Sequence, residues 1–236
     1  MKHLHFDEID STNTYLKREY QNLDNLTFVS ALFQSNGHGR FSRSWHANKS
    51  ESVMFSYLLK DKEYIDHFSY ISMITAVLVV KYLEEKGLEN VSIKWPNDVY
   101  VNGKKICGIL LEGMIPEYVI VGVGINLNQK QFDNSILRHP ATSVKIENPT
   151  FNFTTMDEIE TIIRLFNDFW ANFRGDWGMF DNFIKSHNYL LDKAIKVSNI
   201  DSLVQGKVVD IDSECNLLIN NGREIVKINT GEIEIL

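Results

Sequence analysis

VSIKWPNDVYVNGKKICGILLEGMIPEYVIVGVGINLN, residues 91–128, is the stretch that decides the fold. Three β-type runs follow one another in it: VSIKW, then VYV and KICGILLEG on either side of Asn102-Gly103, then YVIVGVGINLN. Asn-Gly suits the two positive φ values of a tight hairpin, so the middle runs should pair antiparallel. Strands in succession with no helix between them predict a mixed, mostly antiparallel sheet. Pro96 cannot donate to a ladder, so the chain must bend or reach an edge just after Lys94-Trp95.

Upstream, residues 4–9 read as a short first strand. Ser11 or Thr12 is placed to cap a helix marked by Tyr15, Leu16 and Tyr20. LTFVSALF (residues 26–33) and residues 53–59 read as strands, and residues 68–86 as an apolar helix with Gly87 as its stop. Between the two strands, QSNGHGRFSRSWHANKSES (residues 34–52) is too polar for core and long for a passive connection, which marks a functional loop. Downstream, residues 129–154 read as loop, while residues 156–173 and 180–190 read as helices. From about residue 192 the tail alternates in short runs broken by Asp, Asn and Gly, the texture of a small β-barrel. The expected class is α+β, with a large domain at 1–190 and a small one at 191–236.

Composition bounds the partners. With 236 residues, 44% of them hydrophobic, the chain can bury a sizeable core. A formal net charge of -7 without a run of Lys or Arg disfavours the phosphate backbone of nucleic acid. Cys107 and Cys215 lie far apart and predict two buried thiols. None of the seven histidines stands in an H-E-x-x-H pattern, so no zinc site is expected. No apolar run reaches the roughly 18 residues of a membrane span, and the N-terminus lacks a secretory signal, so a cytoplasmic protein is expected.

Three segments could carry chemistry. Gly37-His38-Gly39-Arg40-Phe41-Ser42-Arg43 combines glycines, which let backbone N–H groups approach an anion, with two arginines that can grip phosphate. It matches neither the P-loop nor a dinucleotide fingerprint, and an ordinary exposed loop is the alternative. Lys94-Trp95-Pro96-Asn97-Asp98 presents a strand-end lysine that could offset charge developing on a phosphate. A solvated lysine beside a turn is its alternative. Gly122-Val123-Gly124-Ile125-Asn126 permits close approach of a ligand, with an Asn amide able to read a ring edge, or it is simply a glycine-containing strand end.

Taken together, these segments resemble biotin–protein ligases. The similarity runs through Asp10-Ser11-Thr12-Asn13, Gln34, Gly37-x-Gly39-Arg40-x-x-Arg43-x-Trp45, Lys94-Trp95-Pro96-Asn97-Asp98, Lys105-x-x-Gly108-Ile109-Leu110-x-Glu112, Gly122-x-Gly124-Ile125-Asn126 and Ala141-Thr142-Ser143. It implies the class II synthetase-like biotin–lipoate ligase fold at 1–190, with an SH3-like C-terminal domain at 191–236. By this resemblance Ser11, Thr12, Asn13 and Gln34 would bind the ureido end of biotin, with the strands beside Gly108 lining the rest of its pocket. Gly37, His38, Gly39 and Arg40 would wrap its carboxylate and the α-phosphate. Arg43 would face the departing pyrophosphate, Trp45 and Asn126 would build the adenine site, and Asn97 would join the ATP-binding set. Lys94 and Arg40 would be catalytic.

The implied reaction joins biotin to ATP, with Mg²⁺ on the phosphates, and passes the biotinyl group to a lysine of a biotin carboxyl carrier protein. Two positions depart from the family's pattern: His38 stands where Arg or another polar or basic residue is usual, and Ser42 where Gly is common. Both predict weaker retention of the adenylate. Bifunctional relatives place a helix-turn-helix domain ahead of the Ser-Thr-Asn, which here begins at residue 11, so a ligase without repressor function is expected. Relatives often pair through the central sheet, which allows a homodimer. The rival readings are a lipoate–protein ligase and a non-catalytic biotin or adenylate sensor.

Overall fold

A computed structural model describes residues 2–133, 139–198 and 203–236. Seven strands form the central sheet: β1 (Lys2–Phe6), β2 (Thr27–Ala31), β3 (Ser52–Leu59), β4 (Val91–Lys94), β5 (Asp98–Val101), β6 (Lys104–Met114) and β7 (Tyr118–Asn126). Their order across the sheet is β1-β2-β3-β7-β6-β5-β4. Only β1 and β2 are parallel, so the mixed, mostly antiparallel expectation holds. Asn102 (φ 50) and Gly103 (φ 76) make the β5–β6 turn with both residues left-handed, as Asn-Gly predicts.

Period-2 alternation gives the sheet two unlike faces. Val53, Phe55, Tyr57 and Leu59 of β3, with Val119, Val121, Val123 and Ile125 of β7, join one core cluster. Helices α2 (Lys62–Asp66), α3 (Phe68–Glu85) and α5 (Thr155–Asn172) pack on that face and add Ile65, Ile74, Val77, Phe166 and Trp170 to the cluster. Gly87 (φ 77) follows the end of α3, as a helix stop should. On the opposite face, α1 (Thr12–Glu19) packs Leu16 against Val29, Leu58 and Ile120. The remainder of that face carries glycines and polar residues beside Met54 and Leu110, and there no helix covers the sheet.

Helix α4 (Val144–Glu147) is one turn, capped by Ser143 within the stretch expected as loop. Helix α6 (Asp181–Ser186) is shorter than the expected 180–190. Its continuation is taken by β4 instead: Ile93 N donates to His187 O (2.7 Å) and Tyr189 N to Ile93 O (2.9 Å). Backbone groups spent on a sheet bridge cannot also close helical turns.

Beyond residue 191, β8 (Ala194–Ser198), β9 (Leu203–Ile211), β10 (Leu217–Asn220), β11 (Ile225–Ile228) and β12 (Glu232–Ile235) form an antiparallel sheet in the order β11-β10-β9-β8-β12. Trp95, 2% exposed, donates its indole N–H to Cys215 O (2.8 Å) and ties this sheet to the turn after β4.

Candidate active site

One cross-strand row organises the open face. Lys94 pairs with Asp98, Asp98 with Gly108, Gly108 with Gly124, and Gly124 with Met54, through β4, β5, β6, β7 and β3. The next row runs Leu110, Gly122, Ser56 and Val29. Partners in register share a face, so charge, then bare backbone, then polar groups succeed one another across the floor. Above the glycines lies a cavity of about 480 Å³.

At one end the walls are polar. Ser11 caps α1, accepting from Thr14 N, which aims residues 11–13 at the sheet. Thr12 N donates to Gln34 Oε1 (2.7 Å). Ser56 donates to Asn13 Oδ1 (2.5 Å) and lies 2.6 Å from Thr12 Oγ1, which also reaches Gln34 Oε1 (3.1 Å). Asn13 Nδ2 donates to Glu112 Oε2 (2.8 Å). Gln34 Nε2 rests 3.3 Å from the Met54 thioether, a weak acceptor. Ser11, Thr12, Asn13 and Ser56 are buried and Gln34 and Glu112 half-buried, and together they form a mutually oriented set of donors and acceptors.

At the other end the charges gather. Lys94 is 6% exposed and donates to Tyr100 Oη (3.2 Å), whose phenol burial holds firmly protonated. Lys105 meets Asp98 Oδ1 at 2.6 Å and is the more open of the two ammonium groups. Arg40 donates to Asn97 Oδ1 (3.2 Å) and toward Thr230 Oγ1 and Gly231 O (3.4 Å each). Burial lowers its pKa, yet a guanidinium remains charged at neutral pH. Arg43 is ion-paired with Glu232. Asn97 is fixed from both sides, since its Nδ2 donates to Ile109 O (2.7 Å) while Ile109 N donates to Asn97 O (2.9 Å).

The polar loop closes over this as a tight hairpin, with Trp45 N donating to Gly37 O (2.9 Å) and Gly39 N to Arg43 O (2.7 Å). Trp45 lies on the glycine floor: Cβ atoms built on Gly124 and Gly108 would stand 2.7 and 3.1 Å from its ring. Its indole N–H is buried without a partner.

Thirteen of the fourteen site residues expected from sequence line this one cavity: Ser11, Thr12, Asn13, Gln34, His38, Gly39, Arg40, Arg43, Trp45, Lys94, Asn97, Gly108 and Asn126. Gly37 does not. It lets the hairpin legs approach, since a Cβ there would sit 3.2 Å from Trp45 O. His38 turns toward the polar end, with Nε2 3.4 Å from Glu112 Oε2. Asn126 lines the wall with its amide engaged, donating to Thr142 O (3.0 Å) and accepting from Gln129 Nε2 (3.4 Å). The side chain of Ser42 lies outside the described residues.

Reading the sequence missed several neighbours. Asp98, Lys105 and Glu112 stood inside the matching strings without an assigned role, and the Lys105-x-x-Gly108 spacing was their signal. Ser56 looks like any strand serine until register sets it against Gly122. Gly231, Glu232 and Ile233 also line the cavity, and nothing local in the tail announces it.

Residues 5–126 match the model of the Biotin/lipoate A/B protein ligase family, and residues 191–236 match that of the Biotin protein ligase C terminal domain. The chain is 29% identical to the "Bifunctional ligase/repressor BirA" of Bacillus subtilis over 243 residues, covering 99% of this chain and 74% of the relative. It is 32% identical to the "Biotin--[acetyl-CoA-carboxylase] ligase" of Paracoccus denitrificans over 127 residues, about half of each chain. The biotin protein ligase of Aquifex aeolicus, solved in complex with biotin and ATP, superposes with a TM-score of 0.86 at 27% identity, covering 100% of this chain and 98% of that one. With a family model matched over half its length, the chain belongs to the biotin/lipoate A/B protein ligase family.

Proposed function

We propose that this enzyme couples biotin to ATP and transfers the biotinyl group to a lysine of a biotin carboxyl carrier protein of a biotin-dependent carboxylase. The observation that carries the reading is the row Lys94–Asp98–Gly108–Gly124, which sets buried charge beside bare backbone under one cavity. Biotin's ureido group fits the polar end, where Asn13, Gln34 and their neighbours offer donors and acceptors together. Its valerate crosses the glycine floor, and its carboxylate reaches Arg40 and the two lysines.

In the first half-reaction a carboxylate oxygen attacks the α-phosphorus of ATP, and the bond to pyrophosphate breaks. Lys105 and Lys94 offset the charge that grows on the transferring phosphorus oxygens. Arg43 exchanges Glu232 for the departing pyrophosphate. In the second, the carrier lysine's ε-amine attacks the mixed anhydride and AMP leaves with the bonding electrons. The hairpin over Trp45 keeps water from the anhydride.

Mg²⁺ enters as part of the substrate MgATP. Mg²⁺ of this kind is held by the substrate's phosphates with at most one or two carboxylates, and among the described residues no group of three or more His, Cys, Asp or Glu forms a metal site of its own. We assign biotin and nucleotide binding to a catalytic domain at 1–190, with 191–236 as its C-terminal partner. No helix among the described residues is long and apolar enough to cross a membrane. Cytoplasmic placement, pairing into a homodimer and the absence of a nucleic-acid partner belong to the same reading.

Lipoate is disfavoured by the polar end, because a dithiolane would leave buried Asn13 and half-buried Gln34 facing a ring that cannot hydrogen-bond. Pyrophosphate–ATP exchange tests the assignment directly. Exchange with biotin and not with lipoate is expected. Exchange with lipoate alone would move the enzyme to the sister activity, and biotin binding without exchange would make it a sensor.

A further inference from the structure

Phe41 is an unlikely residue for its position. It sits at the tip of the hairpin with φ 57 and ψ 35, in the left-handed region, where glycine is relaxed and a bulky side chain is strained. Its ring is 62% exposed, so burial does not compensate. The cations beside it offer a return: the Arg40 and Arg43 guanidinium carbons stand 5.1 and 5.2 Å from the ring centroid.

Two guanidinium groups three residues apart on a tight turn repel, and the turn alone gives nothing that keeps both over the cavity mouth. An aromatic face attracts each cation through its quadrupole. The other partners of these arginines sit on separate elements: Asn97 after β4, Thr230 and Gly231 before β12, and Glu232 at its start. Glu232 must be exchanged when a polyphosphate arrives. Phe41 alone travels with the hairpin and can hold the spacing of the two cations whether or not the loop is docked.

We propose that Phe41 is the positioning residue that sets Arg40 and Arg43 apart as a two-pronged grip for the triphosphate of the nucleotide. The left-handed backbone carries the ring to the place where both cations can reach it. This rests on the ATP-dependent ligation proposed above and deepens it by giving nucleotide capture a residue that acts through the two arginines beside it.

The test is pyrophosphate–ATP exchange with the full chain and the variants Phe41→Leu, Phe41→Tyr and Phe41→Gly, read as KM for ATP and KM for biotin separately. Leucine keeps apolar bulk without a quadrupole, tyrosine keeps the quadrupole, and glycine relieves the backbone. The expected result is a rise in ATP KM of about tenfold for Leu and Gly, near-parental values for Tyr, and a smaller rise in biotin KM, because of the two cations only Arg40 also reaches biotin's carboxylate. Parental ATP KM in Phe41→Leu would overturn the proposal while leaving the ligase reading intact. A biotin KM that rises as much as or more than the ATP KM would also overturn it, because Arg43, half of the grip, serves the phosphates alone. A parent chain without biotin-dependent exchange would overturn the ligase reading and this inference with it.

Discussion

Asn13 occupies the space that a side chain at position 122 would need: a Cβ built on Gly122 would fall 2.3 Å from Asn13 Oδ1. The amide that orients the polar end therefore rests on bare backbone of β7, and Ser56, paired with Gly122 in register, donates to the same oxygen.

Gly122→Ala should push Asn13 off this seat and break its bonds to Ser56 and Glu112. At about 0.5–1.5 kcal/mol per hydrogen bond, biotin KM should rise about tenfold or more. ATP KM should stay near the parental value. Exchange kinetics titrated with each substrate in turn would show the split, and equal effects on both would refute it.

Lys105 is paired with Asp98 and reaches over Gly108, where a Cβ would stand 3.2 Å from its Nζ, and it is more accessible than Lys94. Lys105→Gln should lower the rate of adenylate formation by about 10²–10³, the usual loss for one removed transition-state donor. Lys94→Gln should fall in the same range. A single-turnover rate near the parent's for Lys105→Gln would remove that residue from the chemistry.

His38 reaches Glu112 rather than the phosphate end. The double variant His38→Arg/Ser42→Gly should release biotinyl-5′-AMP more slowly than the parent, since a permanent cation would pair with Glu112 and close the loop more firmly. Dissociation rates measured by stopped flow with unlabelled chase would decide it, equal rates counting against the idea.

The β1–β2 edge carries a pH response. One hydroxyl, Ser30 Oγ, meets His3 Nε2 (2.7 Å) and His5 Nδ1 (2.8 Å), and burial, aided by His5, depresses the His3 pKa below 6.5. A base with a depressed folded pKa favours folding while neutral, so its contribution is present above pH 6.5 and is lost as pH falls through the folded value. Urea unfolding should show the parent losing more stability between pH 7.5 and 5.5 than His3→Gln does. Identical losses would show that this histidine is not the titrating group.

Both cysteines should be inert. Burial pushes the Cys107 thiol far above its usual range and that of Cys215 up to about 12. Iodoacetamide at pH 8 should label neither in the native protein and both in urea, because only the thiolate reacts.

The strands, the hairpin turn and the Ser-Thr-Asn cap were legible because each is a local statement: alternation, a dipeptide, a capping hydroxyl ahead of a helix. Thirteen expected residues shared one cavity for a related reason, since their strings sit at strand ends and turns that a single register brings together. What escaped was non-local. The end of α6 is set by Ile93, nearly a hundred residues away, which claims the backbone at His187 and Tyr189. Lys94 drew attention through its odd neighbours, while Lys105 reads as a plain surface lysine until Asp98 is placed beside it. The amide of Asn126 seemed free to read a base, but it is held by Thr142 and Gln129 in the fold.

The cavity takes one wall from residues 11–13 and another from residues 231–233, with the sheet between them. Such a site has no useful fragment. A nascent or locally opened chain that had assembled its biotin-facing end would still lack the wall that Gly231, Glu232 and Ile233 supply. Contacts spanning nearly the whole chain form late in folding. The finished cavity is therefore a readout of the whole chain's folding, since no segment shorter than residues 11–233 presents all of its walls.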